Sequence, residues 1–180
     1  IIYMKKRINI DSSHEIGLKL KDYEDIFSDL DLRPYKVKSL SDDFLSYLKR
    51  ASLDKKGMVE LKIFVPSDKR SNNESIIKQR LSNHFNKHFD LLNIENKEII
   101  RHGFLFILVG ILIMFIATFI LFYFEEKTLL VSFLVILLEP AGWFLFWEGL
   151  NLIVFKPKNI KSELDFYRKM SNCRITFMSY

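Results

Sequence analysis

Five residues between positions 139 and 151 carry the most pointed chemistry in the chain: Glu139, Trp143, Trp147, Glu148 and Asn151. They lie in a run of apolar residues long enough to cross a bilayer. There an ionised carboxylate costs about 2.5–3.5 kcal/mol at the centre of a spanning helix. Glu139 falls roughly mid-span, about 11 residues from one end. It must be protonated, paired, or turned toward a watery or oligomeric interior. Trp143 and Trp147 follow at steps of four and share a broad face with it. Glu148 lies nine residues on, near the opposite side, and Asn151 is placed to hydrogen-bond across helices. Two readings stand. In one, these residues form a polar seam of an oligomeric pore or proton path. In the other, Glu139 and Asn151 join helices, and Glu139 with Pro140 marks a kink or a break between half-helices.

Other constellations are thinner. His84 and His88, four apart, place two imidazoles on one helix face, but no further ligand stands at metal-binding spacing. No metal and no cofactor is expected. The acidic segment DYEDIFSDLD lacks the central glycine and terminal glutamate of a calcium loop. It reads instead as an amphipathic helix burying Ile26, Phe27 and Leu30. Cys173 is the lone cysteine, so no intrachain disulfide can form, and it reads as a strand residue. A Gly-rich phosphate loop, a nucleophile elbow and a paired catalytic base are all missing. The expectation is a non-enzyme, with a hydrolase of unrecognised site as the dissenting reading.

The elements around these residues follow from the distribution of charge. Net charge is +5 and 49% of residues are hydrophobic, but the apolar part is concentrated. Residues 1–102, 103–155 and 156–180 carry +4, −3 and +4. That pattern excludes an all-soluble monomer and a strongly basic nucleic-acid binder, and no nucleic acid is expected as a partner. Phe104 to Phe124 has no charge over 21 residues, enough for a core of ~30 Å at about 1.5 Å per residue. The second run, Thr128 to Phe155, is interrupted by Glu139, Pro140, Glu148 and Asn151, which a bundle can shelter. Only Glu125, Glu126 and Lys127 separate the runs, so a tight antiparallel hairpin is expected. Lys97 and Arg101 precede it, and Lys156, Lys158 and Lys161 follow. By the positive-inside rule both termini are cytoplasmic in a multi-pass protein of the cell membrane. No secretory signal is expected, and Met4 is a plausible translation start.

Alternating apolar residues predict strands over EIGLKL (Ile16, Leu18, Leu20), over MVELKIFVP (Val59, Leu61, Ile63, Val65), and at Ile175 and Phe177, with an earlier one at Arg7 to Ile10. Ser41 reads as the N-cap of a helix through Phe44, Leu45, Tyr47, Leu48 and Ala51. A longer helix starts after Asn72, with Ile77, Leu81, Phe85, Phe89 and Leu92 as its stripe. A polar linker, Asn93 to Lys97, is expected before the first span. Lys161 to Met170 reads as a helix with Leu164, Phe166 or Tyr167, and Met170 inward. A lone strand after it leaves its backbone unpaired, so it is expected to return to the N-terminal sheet. The alternative is an interfacial helix with a frayed end. The Lys36/Lys38 and Lys55/Lys56 pairs read as solvated faces, and basic residues beside the spans as contacts for anionic lipid.

The segment Asp22 to Phe44 resembles the N-terminal signature of a family of uncharacterised bacterial two-span membrane proteins. Asp22, Ile26, Phe27, Asp31, Pro34, Tyr35, Lys36, Lys38 and Leu40 fit it without a gap. Gly142, Trp143, Trp147, Leu150 and Phe155 resemble that family's Gly-Trp and second Trp pattern. Leu32, Ser39 and Glu148 depart from it, where proline, aspartate and a basic residue are usual. The resemblance implies architecture and topology and no enzymatic activity.

The expected fold is an α+β cytoplasmic domain, residues 1–100, whose small sheet is closed by the C-terminal strand. A two-helix transmembrane hairpin, 103–155, has spans at about 104–124 and 128–155, and 156–180 is a cytoplasmic tail of helix and strand. The expected function is a non-enzymatic membrane protein, oligomeric by self-association, that anchors a cytoplasmic interaction or sensing domain for a protein partner. The alternative is an oligomeric pore-forming or membrane-disrupting effector, such as one from a bacterial defence system.

Overall fold

The computed structural model describes residues 14–55, 57–123 and 128–180. The expected strand at Arg7 to Ile10, the start at Met4 and the turn Glu125 to Lys127 lie outside the described residues. The elements run β1 (Glu15–Lys19), α1 (Asp42–Ser52), β2 (Glu60–Val65), α2 (Glu74–Tyr123), α3 (Leu129–Val154), α4 (Lys156–Ser171) and β3 (Arg174–Ser179), with two short 3₁₀ turns at Tyr23–Ile26 and Ser67–Lys69. The chain divides into two compact units. One comprises the N-terminal residues through Asp90 together with Leu164–Tyr180, and the other is Leu91–Glu163.

The first unit holds a three-stranded sheet in the order β1-β2-β3, parallel throughout. Ile16 pairs with Leu61 and Leu61 with Ile175, so one apolar row crosses all three strands. Ile16, Leu61 and Ile175 are all buried. The central strand β2 buries Leu61, Ile63, Phe64 and Val65. Because successive side chains alternate faces, Phe64 covers the face opposite Leu61 and Ile63, as parallel sheets require. Around the sheet, α1 buries Phe44 and Leu48, the first turns of α2 bury Ile77, Leu81 and Phe85, and α4 buries Phe166, Tyr167 and Met170. The C-terminal strand thus joins the sheet. Its end is pinned by Tyr180, whose hydroxyl donates to the Leu20 carbonyl (3.1 Å) while Ser67 Oγ donates to the Tyr180 carbonyl (3.1 Å).

Two local expectations need correction, and a third holds in position only. Residues Asn93 to Lys97 are not a linker: they are helical, and α2 runs unbroken for 50 residues. Polar residues alone do not end a helix when no Gly or Pro intervenes and the flanking turns continue. Ser41 stands at the N-cap of α1, but its side chain makes no capping bond. The acidic segment forms only the 3₁₀ turn Tyr23–Ile26, capped by Asp22 and Asp25 acting reciprocally. Ile26 and Phe27 are buried as expected, whereas Leu30 is 94% exposed. The Asp-rich sequence after Phe27 favours side-chain-to-backbone turns over a helix.

In the second unit, α2 and α3 are both long and apolar enough to cross a membrane. Only 11% of the most apolar stretch of each is buried, so they are unlike the core helices of a soluble domain. Thr128 caps α3 by accepting from Val131 N (3.4 Å). The helix continues through Pro140 without a break into halves.

Candidate functional site

The two apolar helices touch through their backbones. Gly103, Gly110 and Ala117 recur every seven residues on α2, and Val135, Gly142 and Gly149 do so on α3; all six are buried. A Cβ added at Gly110 would stand 2.8 Å from the Gly142 carbonyl oxygen, and one at Gly149 would stand 2.6 Å from that of Gly103. The register is therefore antiparallel and brings Ala117 level with Val135. Four of the chain's six glycines serve this contact. For helices in lipid, which supplies no hydrophobic drive between them, close van der Waals approach over small residues of this kind would be what joins them. Sequence reasoning missed this role for the glycines, although small residues at seven-residue spacing in both apolar runs were the signal.

That seam has no room for the five polar and aromatic residues of α3, and they lie outside it. Glu139 is exposed, and among the described residues nothing hydrogen-bonds or ion-pairs with it. Trp143 and Trp147 stack beside it with ring centroids 6.4 Å apart, and are 50% and 60% exposed. Glu148 falls about 180° round the helix from Glu139 at 100° per residue. It accepts a hydrogen bond from Asn151 Nδ2 at 3.3 Å. The structure therefore divides the five residues between two groups, Glu139 with the indoles and Glu148 with Asn151. Asn151 bonds within its own helix.

In the first unit, His84 and His88 do come together, with ring centroids 4.3 Å apart, and His88 stacks on Tyr167 at 5.0 Å. Burial, and then the nearby charges of His88, Arg80 and Lys87, hold His84 down at about 4. Its Nε2 is buried without a hydrogen-bond partner. No group of three His, Cys, Asp or Glu is placed to hold a metal among the described residues. The pair is an aromatic packing cluster between α2 and α4. Cys173 is mostly buried, which pushes its thiol up to about 11, far from a reactive thiolate.

The loop Ser28–Lys38 is ordered by one carboxylate. Asp31 accepts from Arg33 N (3.1 Å), Arg33 Nη2 (2.8 Å) and Ser39 N (2.7 Å), and the Arg33 guanidinium holds it well below the usual carboxylate range. Glu24 joins the loop to the 3₁₀ turn through Tyr35 (2.8 Å) and Lys38, and Arg80 Nε donates to the Lys38 carbonyl at 2.9 Å. This frame presents Leu30 and Leu32, 94% and 96% exposed, to solvent. A hollow of about 370 Å³ elsewhere is lined by Gly57, Met58, Arg168, Lys169 and Asn172. Both its cations are engaged, Arg168 with Asp165 (2.9 Å) and Lys169 with the Ser52 carbonyl (2.8 Å).

Comparison with protein-family models, with curated proteins and with solved structures found no match to this chain.

Proposed function

We propose that the chain is an integral membrane protein in which α2 and α3 cross the bilayer as a hairpin. On this reading it anchors a non-catalytic α/β unit that binds a protein partner on the cytoplasmic side. One observation carries the topology. β2 and β3 are neighbours in one sheet, yet α2, α3 and α4 lie between them in sequence. A small open sheet cannot straddle hydrocarbon. The chain that leaves after β2 must return to the same side before β3, so it crosses an even number of times. α2 and α3 supply two apolar helices joined by a glycine seam, with their large side chains outward.

Lys97 and Arg101 before the spans, and Lys156, Lys158 and Lys161 after them, support a cytoplasmic location for that side. The binding role is supported by the Asp31-ordered loop, which holds Leu30 and Leu32 in water where burial in a partner is favourable. The resemblance to two-span bacterial membrane proteins is consistent with this plan. Alkaline carbonate extraction, followed by protease digestion of a C-terminal tag in inverted and right-side-out vesicles, tests it. The protein should stay with the membrane, and the tag should be cut in inverted vesicles only. Release by carbonate, or cleavage in right-side-out vesicles, overturns it.

A second reading, an oligomeric pore or membrane-disrupting effector, draws on the exposed Glu139 carboxyl. Inducible expression with a membrane-potential dye decides it. An intact potential in the wild type, unaltered by Glu139→Gln, removes the pore.

A further inference from the structure

The α2–α3 seam leaves an unusual chemical inventory on one flank of α3. At 100° per residue, Ile136, Glu139, Trp143 and Trp147 fall within about 80° of one another. All four side chains are exposed, Ile136 to 69%. Pro140 has no N–H, so the Ile136 carbonyl four residues earlier loses its helical donor. The flank thus holds a carboxyl group, a backbone acceptor missing its usual donor, and two indole N–H donors with no partner among the described residues. Water is absent from the hydrocarbon core, and each such group left unmatched is costly there. The seam does not answer them: it is closed by glycine backbones, and Glu139, about 60° round the helix from Gly142, stays exposed beside it.

The inventory is complementary to itself. A neutral carboxyl donates, the freed carbonyl accepts, and the two sit three residues apart, about 4.5 Å along the helix. A two-fold axis along the membrane normal brings the same residues of two copies to the same depth, where each donor meets the other copy's acceptor. We propose that this flank is the contact between two copies of the chain within the membrane, Glu139 donating to the carbonyl of Ile136 of the partner subunit. Trp143 and Trp147, already stacked at 6.4 Å, supply the packing surface beside that bond. The contact rests on the hairpin reading above and names its partner as a second copy.

Cysteine cross-linking in native membranes tests it, in a Cys173→Ser background. Ile136→Cys lies on the flank, and Leu137→Cys, one residue on and 58% exposed, lies about 100° round at the same depth. Oxidation should link Ile136→Cys into dimers and leave Leu137→Cys monomeric. In detergent, sedimentation equilibrium of the otherwise wild-type chain should give a dimer that Glu139→Leu weakens about three- to thirtyfold, the range interhelical hydrogen bonds supply. Glu139→Gln, whose amide still donates, should retain most of it. Equal linking at both positions, or a dimer indifferent to Glu139→Leu, overturns the contact. A protein that stays in carbonate-washed membranes as a monomer also overturns the contact and leaves the hairpin standing. Release by carbonate removes the hairpin itself.

Discussion

Gly110 of α2 and Gly142 of α3 approach so closely that neither tolerates a side chain: a Cβ at Gly110 would lie 2.8 Å from the Gly142 carbonyl oxygen, and one at Gly142 would lie 3.0 Å from that of Gly110. Backbone meets backbone, so the obstructing atoms cannot rotate away as a flexible side chain would. The helix pair is consequently set by what the sequence omits at these positions.

Gly110→Ala should therefore force the helices apart, at a cost of about 1–3 kcal/mol. Its new methyl would also stand 2.8 Å from the Phe146 backbone nitrogen. The check is thermal unfolding in detergent followed by helical circular dichroism, where the midpoint should drop. Gly57→Ala is the contrast: nothing lies within 4 Å of its Cβ, but its φ of 77° makes any side chain strained, at about 1–2 kcal/mol. A Gly110→Ala protein that melts like the wild type would show that the seam is looser than these distances require.

The C-terminal strand should be indispensable to the first unit. Ile175 is 3% exposed and pairs with Leu61 at the centre of the sheet. Ile175→Ala should cost about 2–5 kcal/mol, whereas Met178→Ala, at a position 41% exposed, should stay within about 0.5 kcal/mol. Deleting Asn172 to Tyr180 should abolish cooperative unfolding, because β2 loses its partner on one side. Denaturant titration of the three variants decides it, and an unchanged transition in the deletion would remove β3 from the folded unit.

His84 predicts a pH dependence with a definite sign. Its ordinary value of 6.5 falls to about 4 in the folded protein. Between those values the unfolded chain binds the proton and the folded chain does not, so stability rises with pH. The contribution is complete above about 6.5 and is lost progressively as the pH falls toward 4. Asp22, Glu24 and Asp31 are held below their ordinary values by Lys69, Lys38 and Arg33. They also favour the folded state at higher pH, but their loss comes lower, below about pH 4.5. His84→Phe, which keeps a ring against His88 and Tyr167, should flatten the upper window and leave the lower one. Urea midpoints measured from about pH 7.5 to about 4.5 test this, and parallel slopes for the two proteins would exclude His84 as the source.

Period-two alternation was enough to locate β1, β2 and β3, and two long apolar runs, only the first free of charge, were enough to locate both apolar helices. Those signals are local: each says which face of an element avoids water. Leu30 shows their limit. Its spacing from Ile26 and Phe27 matches a buried helical face, but Asp31 captures the Arg33 and Ser39 backbone N–H groups and turns the chain outward instead. The glycines at 103, 110, 142 and 149 were legible in principle, through their spacing, and required knowing which helix lay opposite.

By itself, then, the sequence determined where apolar surface is concentrated, that two segments can each cross a bilayer, and that Glu139 sits awkwardly in one of them. Tertiary structure alone decided that the strands run parallel, that the returning β3 pairs with β2 rather than β1, and that Glu139 stays exposed beside the α2–α3 seam. The physical reason is that a side-chain pattern specifies what each element must hide. Which surface hides it depends on partners more than a hundred residues away, and for the two apolar helices on whether their backbones can come close enough to touch.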